Sequence, residues 1–202
     1  MNKIRGRGAL SNPAGRFART YSELDGTQLD DEEPAPRVLT ELRPDFTRTI
    51  IAHNRSPDVP FSQSINMYRG CEHGCIYCFA RPTHAYLDLS PGRDFETRIL
   101  FKPKARELLR EELSRPGYEV SPIALGTNTD PYQPAERELR LTRGILELLA
   151  ELGHPVSIVT KSSLILRDLD ILSEMAERRL AAVNISVTTL DAELKRRMEP
   201  RT

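Results

Sequence analysis

The sequence predicts an α/β fold, a parallel sheet covered by helices, because strand-like and helix-like segments alternate from Ser62 onward and a glycine or polar loop follows each strand. A third observation points to where the chemistry lies. All three cysteines of the chain fall between Cys71 and Cys78, directly after the first strand candidate.

Each element has its own warrant. Residues 64–68 make a short strand running into Gly70 and Cys71, which puts the cysteine loop at a strand's C-terminal end. Pro103 suits a first helical turn, and Ala105, Leu108, Leu109, Glu112 and Leu113 follow at helical spacing. Ile123, Ala124 and Leu125 form a buried strand closed by Gly126. Leu141, Ile145, Leu148, Leu149 and Leu152 fall on one helical face, which Gly153 and then Pro155 terminate. A third strand spans 156–160, a third helix carries Asp168, Leu169, Leu172, Met175 and Ala176, and a fourth strand spans 182–187. Asp191 and Glu193 open the last helix while Lys195, Arg196 and Arg197 close it, an order that suits the helix dipole. Ending at Thr202 would leave the fourth strand as an unprotected edge, so the chain reads as truncated.

Ahead of the sheet, charge is segregated. Residues 1–21 hold Lys3, Arg5, Arg7, Arg16 and Arg19 and no acid; Glu23, Asp25, Asp30, Asp31, Glu32 and Glu33 follow. Glycines and prolines break any period here, so residues 1–45 read as an extended or disordered arm and 46–202 as the core domain. The basic block is then a solvated tail, or a contact to phosphate or to another part of the fold. Net charge is zero over 202 residues, which gives no whole-chain field for nucleic acid or anionic membrane. No apolar run approaches the ~20 residues that cross a bilayer, and the clustered thiols suit a reducing compartment, so a cytoplasmic location is expected.

Cys71, Cys75 and Cys78 are spaced to wrap one face of a cubane cluster, leaving one iron without a protein ligand. Such an open iron can bind a small molecule, whereas an electron-transfer cluster is usually closed by four cysteines. The competing reading is a zinc site of three cysteines and one histidine, His73 or His84, in a binding module without radical chemistry.

Cys-x-x-x-Cys-x-Tyr-Cys after a first strand resembles the radical S-adenosylmethionine (SAM) superfamily. The stretch 126–134, Gly-Thr-Asn-Thr-Asp-Pro-Tyr-Gln-Pro, is similar to the branch of spore photoproduct lyase and the DNA repair photolyase-like proteins. Arg5-Gly6-Arg7-Gly8 and the run from Ser11 to Phe17 resemble the opening of one bacterial group in that branch. The resemblance implies a partial (β/α) barrel of six units, of which about four are legible here. It also implies a four-iron four-sulfur cluster on Cys71, Cys75 and Cys78, with SAM on the open iron. The expected enzyme reductively cleaves SAM to a 5′-deoxyadenosyl radical that takes hydrogen from a substrate, in lyase-like chemistry.

Further site residues follow from the same resemblance. Tyr77 is placed near the adenine; Thr127, Asn128, Thr129 and Asp130 match the loop that holds the SAM amino group. That loop lacks the Gly-Gly-Glu of many relatives, so a hydroxyl or amide of residues 127–129, or Asp130 swinging in, takes over. Lys161 is a partner for the SAM carboxylate, and Ser186 and Thr188 for ribose or carboxylate. Arg81, His84, Tyr86 and Arg93 contact an anion or form a solvated connector. No residue is singled out as catalytic. Spore photoproduct lyases use a further cysteine as hydrogen donor and none lies within these residues, so either that donor belongs to a missing C-terminal part or the reaction differs. With no flavin or second cluster motif in the chain, a flavodoxin-type or ferredoxin-type donor is the expected partner; nucleic acid enters only by analogy.

Overall fold

The computed structural model describes residues 6–9, 11–13 and 39–202; the acidic block and Lys3, Arg5, Arg16 and Arg19 lie outside the described residues. Strands β1 (Glu41–Pro44), β2 (Ile51–His53), β3 (Gln63–Ile65) and β4 (Tyr68–Arg69) come first. A 3-10 segment (Arg81–Leu87), α1 (Arg93–Thr97), β5 (Arg98–Phe101) and α2 (Ala105–Leu113) follow. Then come β6 (Ile123–Leu125), α3 (Glu136–Leu139), α4 (Leu141–Leu152), β7 (Val156–Thr160) and a second 3-10 segment (Ser163–Asp168). The chain closes with α5 (Leu169–Glu177), β8 (Ala181–Ile185) and α6 (Ala192–Met198).

Two compact units interleave along the sequence. The described residues up to 43, with 69–99 and 189–201, form a cysteine unit; 44–68 and 100–188, with Thr202, form a sheet unit. Residues 41–44, at the end of the expected arm, are strand β1. Their mostly exposed Glu-Leu-Arg-Pro shows no alternation from which a strand is recognised.

In the sheet unit, five strands lie in the order β2-β3-β6-β7-β8. The last four run parallel, with Ile65 beside Leu125, Leu125 beside Ile158 and Ile158 beside Val183; β2 alone is antiparallel. Each crossover helix therefore advances the sheet by one strand, and β3, β6, β7 and β8 are the four strands expected. Ile65, Ile123, Leu125 and Ile158 from the strands and Leu109, Ile145, Leu148, Leu149 and Met175 from the helices are fully buried. Truncating one of these leucines to alanine removes about 2–5 kcal/mol. Helix α4 stops where expected, since Gly153 adopts φ 64° and donates its N–H to Ala150 O. Strand β8 is mostly exposed. Among the described residues no helix is long and apolar enough to cross a membrane.

One element differs from expectation. The predicted strand 64–68 breaks after Ile65 and resumes as β4, part of a separate ladder in the order β1-β5-β4. The cause lies at Asn66 and Met67. Asn66 O accepts Lys102 Nζ at 2.7 Å, Met67 O accepts Lys102 N at 3.0 Å, and the Asn66 side chain turns to the 127–129 loop.

Candidate metal and cofactor site

Two glycines shape the cysteine loop. Gly70 has φ 83°, and a Cβ there would lie 2.8 Å from Phe95 O and 2.9 Å from His84 Cε1; Gly74 has φ 68°. Both positions need glycine's left-handed freedom, and at Gly70 there is no room for a side chain. Cys71 N then donates to Phe95 O at 2.9 Å, and Cys71 packs with Ala80, Phe95 and Cys78. Cys78 N donates to Cys75 O at 3.3 Å, a turn that brings the second and third cysteines together along the chain. The same carbonyl accepts Arg81 Nε at 3.2 Å and Arg81 Nη2 at 2.8 Å.

None of the three cysteines is in a disulfide; Cys71 and Cys75 are 7% and 9% exposed, and Cys78 is half-buried. Among the described residues no group of three His, Cys, Asp or Glu side chains is placed to hold a single metal ion. A cubane asks for a different arrangement, one thiolate on each of three irons. Three soft sulfur donors on one glycine-turned loop fit that group.

Carboxylates back the loop. Glu72 is buried and accepts Thr40 Oγ1 at 2.5 Å and Arg201 Nη1 at 2.9 Å, with Arg7 Nη2 at 3.4 Å. Glu96, 0% exposed, accepts Arg81 Nη2 at 2.6 Å and Gly8 N at 3.1 Å. Burial first, and then Arg201, lower the Arg7 guanidinium from its ordinary value, while Glu72 and Glu96 act the other way. The chain's last residues close on the same loop, with Ile76 N donating to Met198 O at 3.0 Å and Arg201 N to His73 O at 3.3 Å.

The residues after the loop divide. Arg81 is a brace rather than a solvated connector. His84 is wholly buried, its Nε2 3.0 Å from Arg98 O and its ring edge-on to Phe95; burial lowers its pKa. It is a core histidine. Tyr86 is exposed and Arg93 half-buried. Tyr77 is 46% exposed, and its hydroxyl donates to the Glu199 carboxylate.

In the sheet unit the polar residues after β6 and β7 form their own network. Gly126, at φ 89°, packs against Val159 O. Asn66 Oδ1 accepts Asn128 N at 3.1 Å and Thr129 N at 3.4 Å, and Asn66 Nδ2 donates to Thr127 Oγ1 at 3.0 Å. Thr129 Oγ1 donates to Tyr68 O at 3.1 Å. Asp130 accepts Thr160 Oγ1 at 2.6 Å, Lys161 N at 2.9 Å and Tyr132 N at 2.9 Å. Those three donors make Asp130 a tie between the ends of β6 and β7. Lys161 Nζ donates to Thr188 Oγ1 at 3.4 Å, and Ser186 N to Thr160 O at 2.9 Å. Sequence reasoning missed Asn66, Glu72 and Glu96; the Arg-Gly-Arg-Gly run was a signal for the partners of the two glutamates.

Three cysteines on one glycine-turned loop of an α/β protein are a donor set of the kind that suits an iron–sulfur cluster. Residues 65–202 match the family described as the Radical SAM superfamily, and the chain belongs to it. It is 47% identical over 154 residues to the uncharacterized protein Rv2578c of Mycobacterium tuberculosis, covering 75% of this chain and 45% of that one. It is 27% identical over 136 residues to the uncharacterized protein MJ0683 of Methanocaldococcus jannaschii, covering 67% and 48%. Uncharacterized protein ORF301 of Acidianus two-tailed virus is 25% identical over 142 residues, 68% of this chain and 46% of that protein. The chain spans a little under half the length of these relatives. No solved structure matches it.

Proposed function

We propose that this chain is the cluster-binding and SAM-binding part of a radical SAM enzyme, with Cys71, Cys75 and Cys78 as the iron ligands. The observation that carries this is three cysteines, none of them in a disulfide, on one loop whose turns are set by Gly70 and Gly74. When bound, cluster and SAM supply the family's chemistry, one-electron cleavage of the sulfonium to methionine and a 5′-deoxyadenosyl radical that takes a hydrogen atom from a substrate.

The protein's own share is holding and shielding. Gly70 and the Cys71 N–H bond to Phe95 O fix the first ligand; Arg81 fixes the second through its carbonyl. Tyr77 contacts the adenine, Thr127, Asn128 and Thr129, or Asp130 swinging in, the amino group, and Lys161 and Ser186 the carboxylate or ribose. Asn66 supports the first three by accepting two backbone N–H groups of their loop. A separate flavodoxin-type or ferredoxin-type protein supplies the electron. The 126–134 motif supports a place in the spore photoproduct lyase-like branch, and the four parallel strands support a partial barrel. Anaerobic reconstitution with iron and sulfide, followed by product analysis for 5′-deoxyadenosine, tests the proposal.

A further inference from the structure

The basic block contributes a segment that is neither solvated nor free. Arg7's side chain is 8% exposed, and its backbone N–H donates to Glu96 Oε2, its Nη1 to Glu96 O and its Nη2 to Thr40 Oγ1. Gly8 N adds bonds to both Glu96 oxygens at 3.2 and 3.1 Å. Asn12 ties down the next turn, accepting Asp94 N at 3.1 Å.

Glycines give the segment its place. A Cβ on Gly8 would overlap the Gly74 carbonyl, and one on Gly74 would lie 2.8 Å from Arg7 Cβ and 3.2 Å from Gly8 N. A Cβ on Gly92 would lie 2.9 Å from Pro13 Cδ and 3.1 Å from Asn12 Cα. Residues 7 and 8 therefore lie against the backbone of the cysteine loop, and residues 11–13 against that of α1's entry. Glu96 links this segment to the ligands: the carboxylate that accepts Gly8 N also accepts Arg81 Nη2, and Arg81 donates to Cys75 O. Glu72, beside Cys71 in the chain, takes Arg7 on one side and Arg201 on the other.

We propose that the Arg7–Gly8 segment is a strap that clamps the cysteine loop, so that Arg7, Gly8 and Asn12 are positioning residues for the cluster. The proposal rests on the reading of Cys71, Cys75 and Cys78 as iron ligands, and it also makes a claim about the metal-free chain. With the strap seated, Cys71 and Cys75 stay buried and their carbonyls and amides stay fixed; with it displaced, Glu96 loses two N–H donors, and the carboxylate that anchors Arg81 is held less firmly.

The test uses the full chain as wild type, Gly8→Ala, Arg7→Ala and, as a milder change, Asn12→Ala. In metal-free protein, thiol alkylation of Cys75 is expected about tenfold faster in Gly8→Ala and Arg7→Ala, with less change at half-buried Cys78. In reconstituted protein, iron loss to a chelator is expected about tenfold faster or more in the same variants, as for changes to groups that orient metal ligands. Asn12→Ala should show a smaller rise in both rates, and it carries the test should either larger change prevent folding. Equal alkylation rates at Cys75 in all four proteins would overturn the strap. A wild type that fails to take up iron, yet shows strap-dependent alkylation, would instead contradict the iron-ligand reading.

Discussion

Arg81 reaches back over six residues to Cys75: its Nε and Nη2 donate to the Cys75 carbonyl at 3.2 and 2.8 Å, and the same Nη2 lies 2.6 Å from Glu96. The guanidinium thus joins a backbone atom of one proposed iron ligand to a carboxylate that water does not reach. A planar fork does this and a point charge does not. Arg81→Lys, which keeps the charge but not the fork, should cost about 1–3 kcal/mol. Arg81→Met leaves Glu96 with less compensation and should cost more, about 3–5 kcal/mol. Urea unfolding of the metal-free chain checks the order, and equal losses would contradict it.

Cys75→Ala should abolish cluster absorption and SAM cleavage together. The loop has no spare thiol, since the chain holds three cysteines in all. Iron counts and 5′-deoxyadenosine yield on the same preparation check it; a full cluster in the variant would remove Cys75 from the ligand set.

Asn66→Ala should separate the two cofactors. The change leaves Asn128 N and Thr129 N without their acceptor. One or two lost hydrogen bonds, each about 0.5–1.5 kcal/mol, correspond to a loss of SAM affinity of about tenfold. Calorimetric titration of the reconstituted protein with SAM should show that loss while the cluster spectrum is unchanged.

Acidification should weaken the sheet unit through His154. Its ring is buried, Nδ1 lies 3.0 Å from Pro155 O and Nε2 2.7 Å from Tyr118 Oη, and burial lowers its pKa from the ordinary value. The folded chain thus binds that proton less readily than the unfolded one. The stability this histidine brings is present above its ordinary value, about 6.5, and is lost as pH falls from there through the lower folded value. Melting temperatures at stepped pH should fall more steeply below pH ~6.5 in wild type than in His154→Gln.

What the sequence made legible was what repeats locally. Leu141, Ile145, Leu148 and Leu149 mark α4 because helical period is a short-range signal, and Gly153 ends it by its own conformational freedom. The three cysteines were equally plain. The break after Ile65 was not, because Asn66 is polar for the sake of a loop more than sixty residues away. Glu72 and Glu96 look like any surface glutamates until Arg7, 65 and 89 residues distant, is folded onto them. Tyr77 shows the same limit, since its phenol meets Glu199 near the far end of the chain.

Iron and sulfide uptake by the wild-type chain under anaerobic conditions tests the central claim most directly. The account predicts about four irons per chain, visible absorption, and an electron paramagnetic resonance signal after reduction that changes when SAM is added. A chain that takes up one zinc per molecule in preference to iron, or whose reduced cluster gives the same spectrum with and without SAM, would contradict it.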